Sequence, residues 1–168
     1  MKSKIILEPN IIPSKKLNSR GFTLIEIMVV IGIIAVLAAI VLVAVNPARQ
    51  FKLARDTQRT SNVNAILNAI GQNISEHKGS LSCGSNVMSI PQSTSTITSS
   101  TTMANHIDLA PCLVPDYIAS LPYDPASTTA HYEDVSDYYT GYQVLSDSNG
   151  RITVSAYGEL TPMISVIR

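Results

Sequence analysis

"SRGFTLIEIMVVIGIIAVLAAIVLVAV", residues 19–45, decides how the rest of the chain is read. From Ile27 to Val45 it runs nineteen residues without a charge. A helix of that length rises roughly 28 Å, about the hydrocarbon thickness of a bilayer. A core helix of a globular protein would keep a polar stripe, and this run has none. The stretch therefore reads as a membrane-spanning helix. One residue sits awkwardly in it: Glu26 places a carboxylate at the head of the apolar run, where an unpaired charge is expensive.

Working outward, the 168 residues leave room for one modest domain besides this helix. Twelve basic and twelve acidic side chains cancel, which argues against a nucleic-acid binder, but they are not evenly spread. Residues 1–21 hold Lys2, Lys4, Lys15, Lys16 and Arg20 against Glu8 alone. Residues 60–168 hold Lys78, Arg151 and Arg168 against nine acidic groups. The chain is basic first and acidic last. A secretory signal would show a shorter apolar region followed by a small-residue cleavage site, and after Val45 the chain reads "NPARQFKLARD". The small residue that suits a peptidase instead precedes the apolar run, at Gly21.

"RGFTLIEIMVVIGIIAVLAAI" resembles the class III leader and N-terminal helix of type IV pilins and of the pseudopilins of type II secretion systems. The resemblance covers residues 15 to about 45. It implies that a membrane aspartyl peptidase cuts between Gly21 and Phe22 and methylates the new amine of Phe22. It also implies that Glu26 of an incoming subunit pairs with the terminal ammonium of the last one added. A helix-start carboxylate favoured by the macrodipole is the alternative for Glu26. The implied partners are further copies of the chain in a helical homopolymer, a prepilin peptidase, an inner-membrane platform protein and an assembly ATPase. The implied location is the cytoplasmic membrane as a single-pass precursor with the head outside, then a surface filament. No direct nucleic-acid binding is expected.

Gly32, Ala35 and Ala39 recur at steps of three and four, which suits close helix packing in lipid or a filament core. The family's helix proline falls in place of Val43, whereas this chain has Pro47. Arg49, Lys52, Arg55 and Arg59 follow the span closely, so charge alone does not orient it. These four are expected either to meet acidic groups of adjacent subunits or to form a solvated helix face.

Beyond Pro47 the pattern Val63, Ile66, Leu67, Ile70 predicts an amphipathic helix with one face ready for a sheet, aided by a Lys52–Asp56 pair at i, i+4. Gly71 and "EHKGS" are successive stop signals, placing the end at residue 72. "SIPQSTSTITSSTTM", residues 89–103, reads as a surface loop of low complexity, glycosylated or simply solvated. Cys83 and Cys112 bracket it and are expected to pair outside the membrane, closing a loop worth about 3.5 kcal/mol in the chain-entropy model. "GYQVLS" and "RITVSAYG" alternate around "DSNG", a hairpin signal, and "MISVIR" offers a third strand. "LPYDP", residues 121–125, is similar to a segment before the sheet in major pseudopilins.

The expected fold is therefore α+β: a long N-terminal helix, membrane-spanning in its first half and packed in its second against a small antiparallel sheet. The expected divisions are a cleaved leader (1–21), the helix (22–72, with 22–45 in the membrane) and a head (73–168). Asp134 and Asp137 with Glu133 offer oxygen ligands for calcium, but their spacing matches no calcium loop, and no cofactor is expected. His77, His106 and His131 among many serines match no catalytic motif, so no enzyme is expected.

Overall fold

The computed structural model describes residues 21–168, so the expected leader lies outside the described residues except for Gly21. The chain divides into two units at Val45 and Asn46.

The first unit contains α1, Leu24–Val45, a helix of 22 residues. Every one of its residues is exposed within the chain. A helix apolar all round and buried against nothing of its own must be covered by lipid or by other helices. Its length and composition suit a membrane span.

The second unit opens with α2, Pro47–Glu76. Asn46 takes a left-handed conformation (φ 47°), and its Oδ1 accepts a hydrogen bond from the backbone N–H of Arg49 at 3.2 Å. Pro47 occupies the first helical position, where a missing N–H costs nothing. The helical stretch from residue 24 to 76 is thus interrupted once, at Asn46. It ends four residues beyond the boundary expected at 72, because Gly71 stays helical beside the Arg168 side chain and the second stop signal takes effect. Lys78 turns left-handed (φ 57°), and the Gly79 N–H donates to the Ile74 carbonyl at 2.9 Å, closing the last turn.

Strands β1 (Leu81–Cys83) and β2 (Asn86–Met88) form a small hairpin of their own. The main sheet adds β3 (Ser95–Thr98) and β4 (His106–Ile107), then, after the short helix α3 (Ala110–Leu113), β5 (His131–Tyr132), β6 (Tyr138–Ser146), β7 (Ile152–Ala156) and β8 (Ile164–Ile167). Its order is β4-β3-β6-β7-β8, with β5 pairing β6. All pairs are antiparallel except β3 with β4. The expected hairpin is β6–β7. Asp147 Oδ1 accepts from the N–H groups of Asn149 and Arg151 across its turn, and Gly150 supplies the positive φ.

The Ser/Thr tract is not a solvated loop throughout. Residues 95–98 become β3, with Ser95, Ile97 and Thr98 buried. Threonine is at home in strands, and the Thr98 hydroxyl donates to the Tyr138 carbonyl at 2.9 Å, so its burial leaves no orphaned donor. The core joins Val63, Ile66, Leu67 and Ile70 of α2 to Ile97, Tyr142, Val144, Val154 and Ile164 of the sheet. Because α2 supplies this face, the compact head begins at Asn46 rather than at residue 73.

Candidate functional site

Gly21, Phe22 and Thr23 precede α1 in irregular backbone, and all three are exposed. Phe22 is 85 % exposed, and nothing lies within 4 Å of the position a side chain would take at Gly21. The 21–22 peptide bond thus lies outside any regular element.

Thr23 caps the helix. Glu26 Oε2 accepts from the Thr23 backbone N–H at 2.7 Å and from its hydroxyl at 2.9 Å, and the Glu26 N–H donates back to Thr23 Oγ1 at 3.3 Å. This is the reciprocal capping box of a Thr-x-x-Glu start. Within one chain the carboxylate is therefore held at a helix N-terminus, which favours negative charge. The Thr-x-x-Glu spacing of Thr23 and Glu26 is the sequence signal for this cap, which the motif reading alone does not assign.

The basic residues after the span divide into two pairs. Arg49 and Lys52 are exposed, with no acidic partner among the described residues. Arg55 and Arg59 are committed within the chain, contrary to the expectation that all four face other subunits or solvent. Arg59 is 3 % exposed. It meets Asp124 with two parallel bonds, Nε to Oδ2 at 2.9 Å and Nη2 to Oδ1 at 2.8 Å, and Asp56 with a third at 2.8 Å. Arg55 grips Glu159 through both Nε and Nη2. The expected Lys52–Asp56 pair is replaced, because Asp56 also accepts from the backbone N–H groups of Glu159, Leu160 and Thr161 at 2.8–3.1 Å. Gly158 permits this wrap: a Cβ there would collide with the Thr161 carbonyl and crowd both Asp56 oxygens.

Burial opposes ionisation of Asp56, but the three N–H groups and Arg59 outweigh it and hold its carboxyl well below the usual carboxylate range. Asp124 is likewise lowered, burial being outweighed by Arg59 and the Ala126 N–H. Glu159 is drawn down to about 2, chiefly by Arg55. Carboxylates depressed in the fold contribute stability that is complete above their unfolded values near 4 and is lost as pH falls through the folded ones. The thermal midpoint of the head should hold from neutrality to about pH 5 and then fall steadily toward pH 2. Tyrosine fluorescence melts across that range check it; a midpoint constant down to pH 3 would contradict the assignment.

Cys83 and Cys112 are joined by a disulfide. Buried Asn73 of α2 ties both ends: its Nδ2 donates to the carbonyls of Ser82 and Cys112 at 2.8 and 2.7 Å, and its Oδ1 accepts from the Ser82 N–H. Asp134 is occupied by its own turn, accepting from Ser136 and the Asp137 N–H, while Asp137 meets His131. Among the described residues, no three His, Cys, Asp or Glu side chains are grouped to hold a metal. His77 and His106 each turn Nδ1 to a backbone carbonyl.

A sequence model described as the prokaryotic N-terminal methylation motif matches residues 16–42. The chain carries the prepilin signature. This is the N-terminal signature of type IV pilins and pseudopilins, a family of structural subunits. It implies processing by a prepilin peptidase and assembly into a filament, and with α1 it fits a membrane-anchored precursor. The matched residues include Gly21, Phe22, Thr23 and Glu26 and most of α1. No curated protein and no solved structure matches the chain.

Proposed function

We propose that the chain is the precursor of a type IV pilus subunit. Residues 1–21 are the leader, removed by the prepilin peptidase, which also methylates the new amine of Phe22. α1 is the membrane anchor of the precursor and the core helix of the filament, and residues 46–168 form the exposed head, outside the cytoplasmic membrane before assembly and on the fibre afterwards. The observation that carries this reading is the methylation motif running directly into a helix with no residue buried by its own chain. Such a helix is covered first by lipid and then by its copies, where packing and polar contacts drive association. Glu26 has one oxygen on Thr23, and its remaining acceptor capacity is open to the ammonium of a neighbouring Phe22. A platform protein and an assembly ATPase complete the apparatus. The role is structural rather than catalytic, and it needs no cofactor.

A pseudopilin of a secretion or DNA-uptake apparatus is the second reading, favoured by "LPYDP". Leu121 of this segment is buried, and its Asp124 anchors Arg59. Intact mass and N-terminal sequencing of sheared surface fibres, beside the membrane fraction, test both. A 147-residue chain (168 minus 21) starting at methylated Phe22 and abundant in the sheared fibres is the expected result. The same chain confined to the membrane selects the pseudopilin, and a chain that keeps its leader beside an active prepilin peptidase overturns both.

A further inference from the structure

The first two turns of α2 present Arg49, Phe51, Lys52 and Leu53 to solvent. Residues 47–54 are exposed on every side, including Phe51 at 64 % and Leu53 at 49 %. Packing begins only with half-buried Arg55 and buried Asp56. Arg49 and Lys52 find no acidic group among the described residues, although Arg55 and Arg59 on the next turns are fully engaged.

We propose that this stretch is a binding surface for anionic lipid headgroups, which holds the precursor at the bilayer surface. Three features favour a headgroup layer over a protein groove. The segment follows the apolar span directly: Val45 ends α1 and Pro47 starts α2. At 1.5 Å per residue, Pro47 to Lys52 spans about 8 Å, so chain connectivity alone keeps Arg49 and Lys52 within reach of a polar layer roughly 5–8 Å deep, whatever the direction of α2. The cations and apolar side chains are also mixed around the axis, with Arg49 and Phe51 about 200° apart, where a groove would read one face only. Long basic side chains bury their stems and keep their charge among phosphates, and aromatic rings suit the same depth. The inference rests on the membrane-anchored precursor, not on what the filament does. It adds that these headgroup contacts are released when a subunit leaves the bilayer.

The test uses the full chain reconstituted in phosphatidylcholine vesicles with and without phosphatidylglycerol, carrying an environment-sensitive fluorophore on Phe51→Cys. The native cysteines are joined, so this thiol is the one free for labelling. On anionic vesicles the label should shift to the blue and be protected from an aqueous quencher. Both effects should vanish in about 0.5 M salt, where the Debye length is roughly 4 Å. Each cation is expected to contribute about fivefold, so Arg49→Gln with Lys52→Gln should weaken the protected state about 25-fold, whereas Lys78→Gln should leave it intact. A label indifferent to lipid charge and salt in a chain that floats with the vesicles overturns the proposal. So does protection that follows the protein-to-lipid ratio, which would assign the surface to a second copy. A chain that does not float with vesicles overturns the anchor itself.

Discussion

Replacing Arg59 with alanine should cost the head about 3–5 kcal/mol, the cost of removing one partner of a buried ion cluster. Nothing else in the cluster neutralises Asp124, which holds two of its bonds with Arg59, and Asp56 would keep its backbone donors but lose its cation. Both carboxylates are buried. Their contacts hold together α2, the segment after Leu121 and the turn at residues 158–161. The melting midpoint should drop by roughly 10–20 °C for a unit of this size. Arg59→Lys should recover only part of the loss, because an ammonium cannot make the two parallel bonds to Asp124. Melts of full-length protein in detergent, followed by tyrosine fluorescence, measure both variants. A loss below about 1 kcal/mol for Arg59→Ala would mean that the cluster is solvated and that the carboxylates relax into water.

Glu26→Gln should separate the two roles assigned to this carboxylate. Glutamine also completes a capping box, since its side-chain oxygen can accept from Thr23 as Glu26 does. Helix start, membrane insertion and cleavage after Gly21 should therefore continue. The charge-assisted bond to a neighbouring ammonium is lost, and each subunit addition should weaken at least about tenfold, enough to remove fibres from the sheared fraction while processed subunits accumulate in the membrane. Immunoblots of the two fractions give the result. Fibres at the unmodified yield would assign Glu26 to capping alone. Thr23→Ala is the complementary variant, removing the hydroxyl from the cap while leaving the carboxylate for assembly.

What the sequence reveals follows from how local each signal is. The apolar run of α1, the stripe Val63, Ile66, Leu67, Ile70 and the "DSNG" hairpin are periodicities or turn chemistry within a few residues, and each is present in the fold. Strand β3 was hidden because serine and threonine satisfy a loop reading equally well; only the partner strand β6, some forty residues away, supplies the acceptor that lets Thr98 be buried. The ion cluster was hidden for a similar reason. Arg59 and Asp124 are 65 residues apart, and no spacing announces such a pair. A hint did exist in the helical phase: Asp56, Arg59 and Asn73 continue the same buried stripe as Val63, Ile66 and Ile70. Polar groups on an apolar stripe are paired or hydrogen-bonded as a rule, so their position alone argued that these side chains point inward. At the N-terminus the motif residues and the Thr-x-x-Glu spacing of a capping box are both legible, but the family resemblance directs Glu26 to another subunit and passes over the cap.

The left-handed Asn46 also has a consequence for cooperativity. Helix order propagates along an unbroken ladder of backbone bonds and is costly to nucleate afresh. Pro47 has no N–H to offer a carbonyl of the preceding helix, and Asn46 supplies α2 with a cap of its own. The head therefore carries an independent helix nucleus, secured by its core. In the proposed assembly, where the anchor exchanges lipid for other helices, unwinding of α1 need not spread into α2, because α2 has its own cap and its own core.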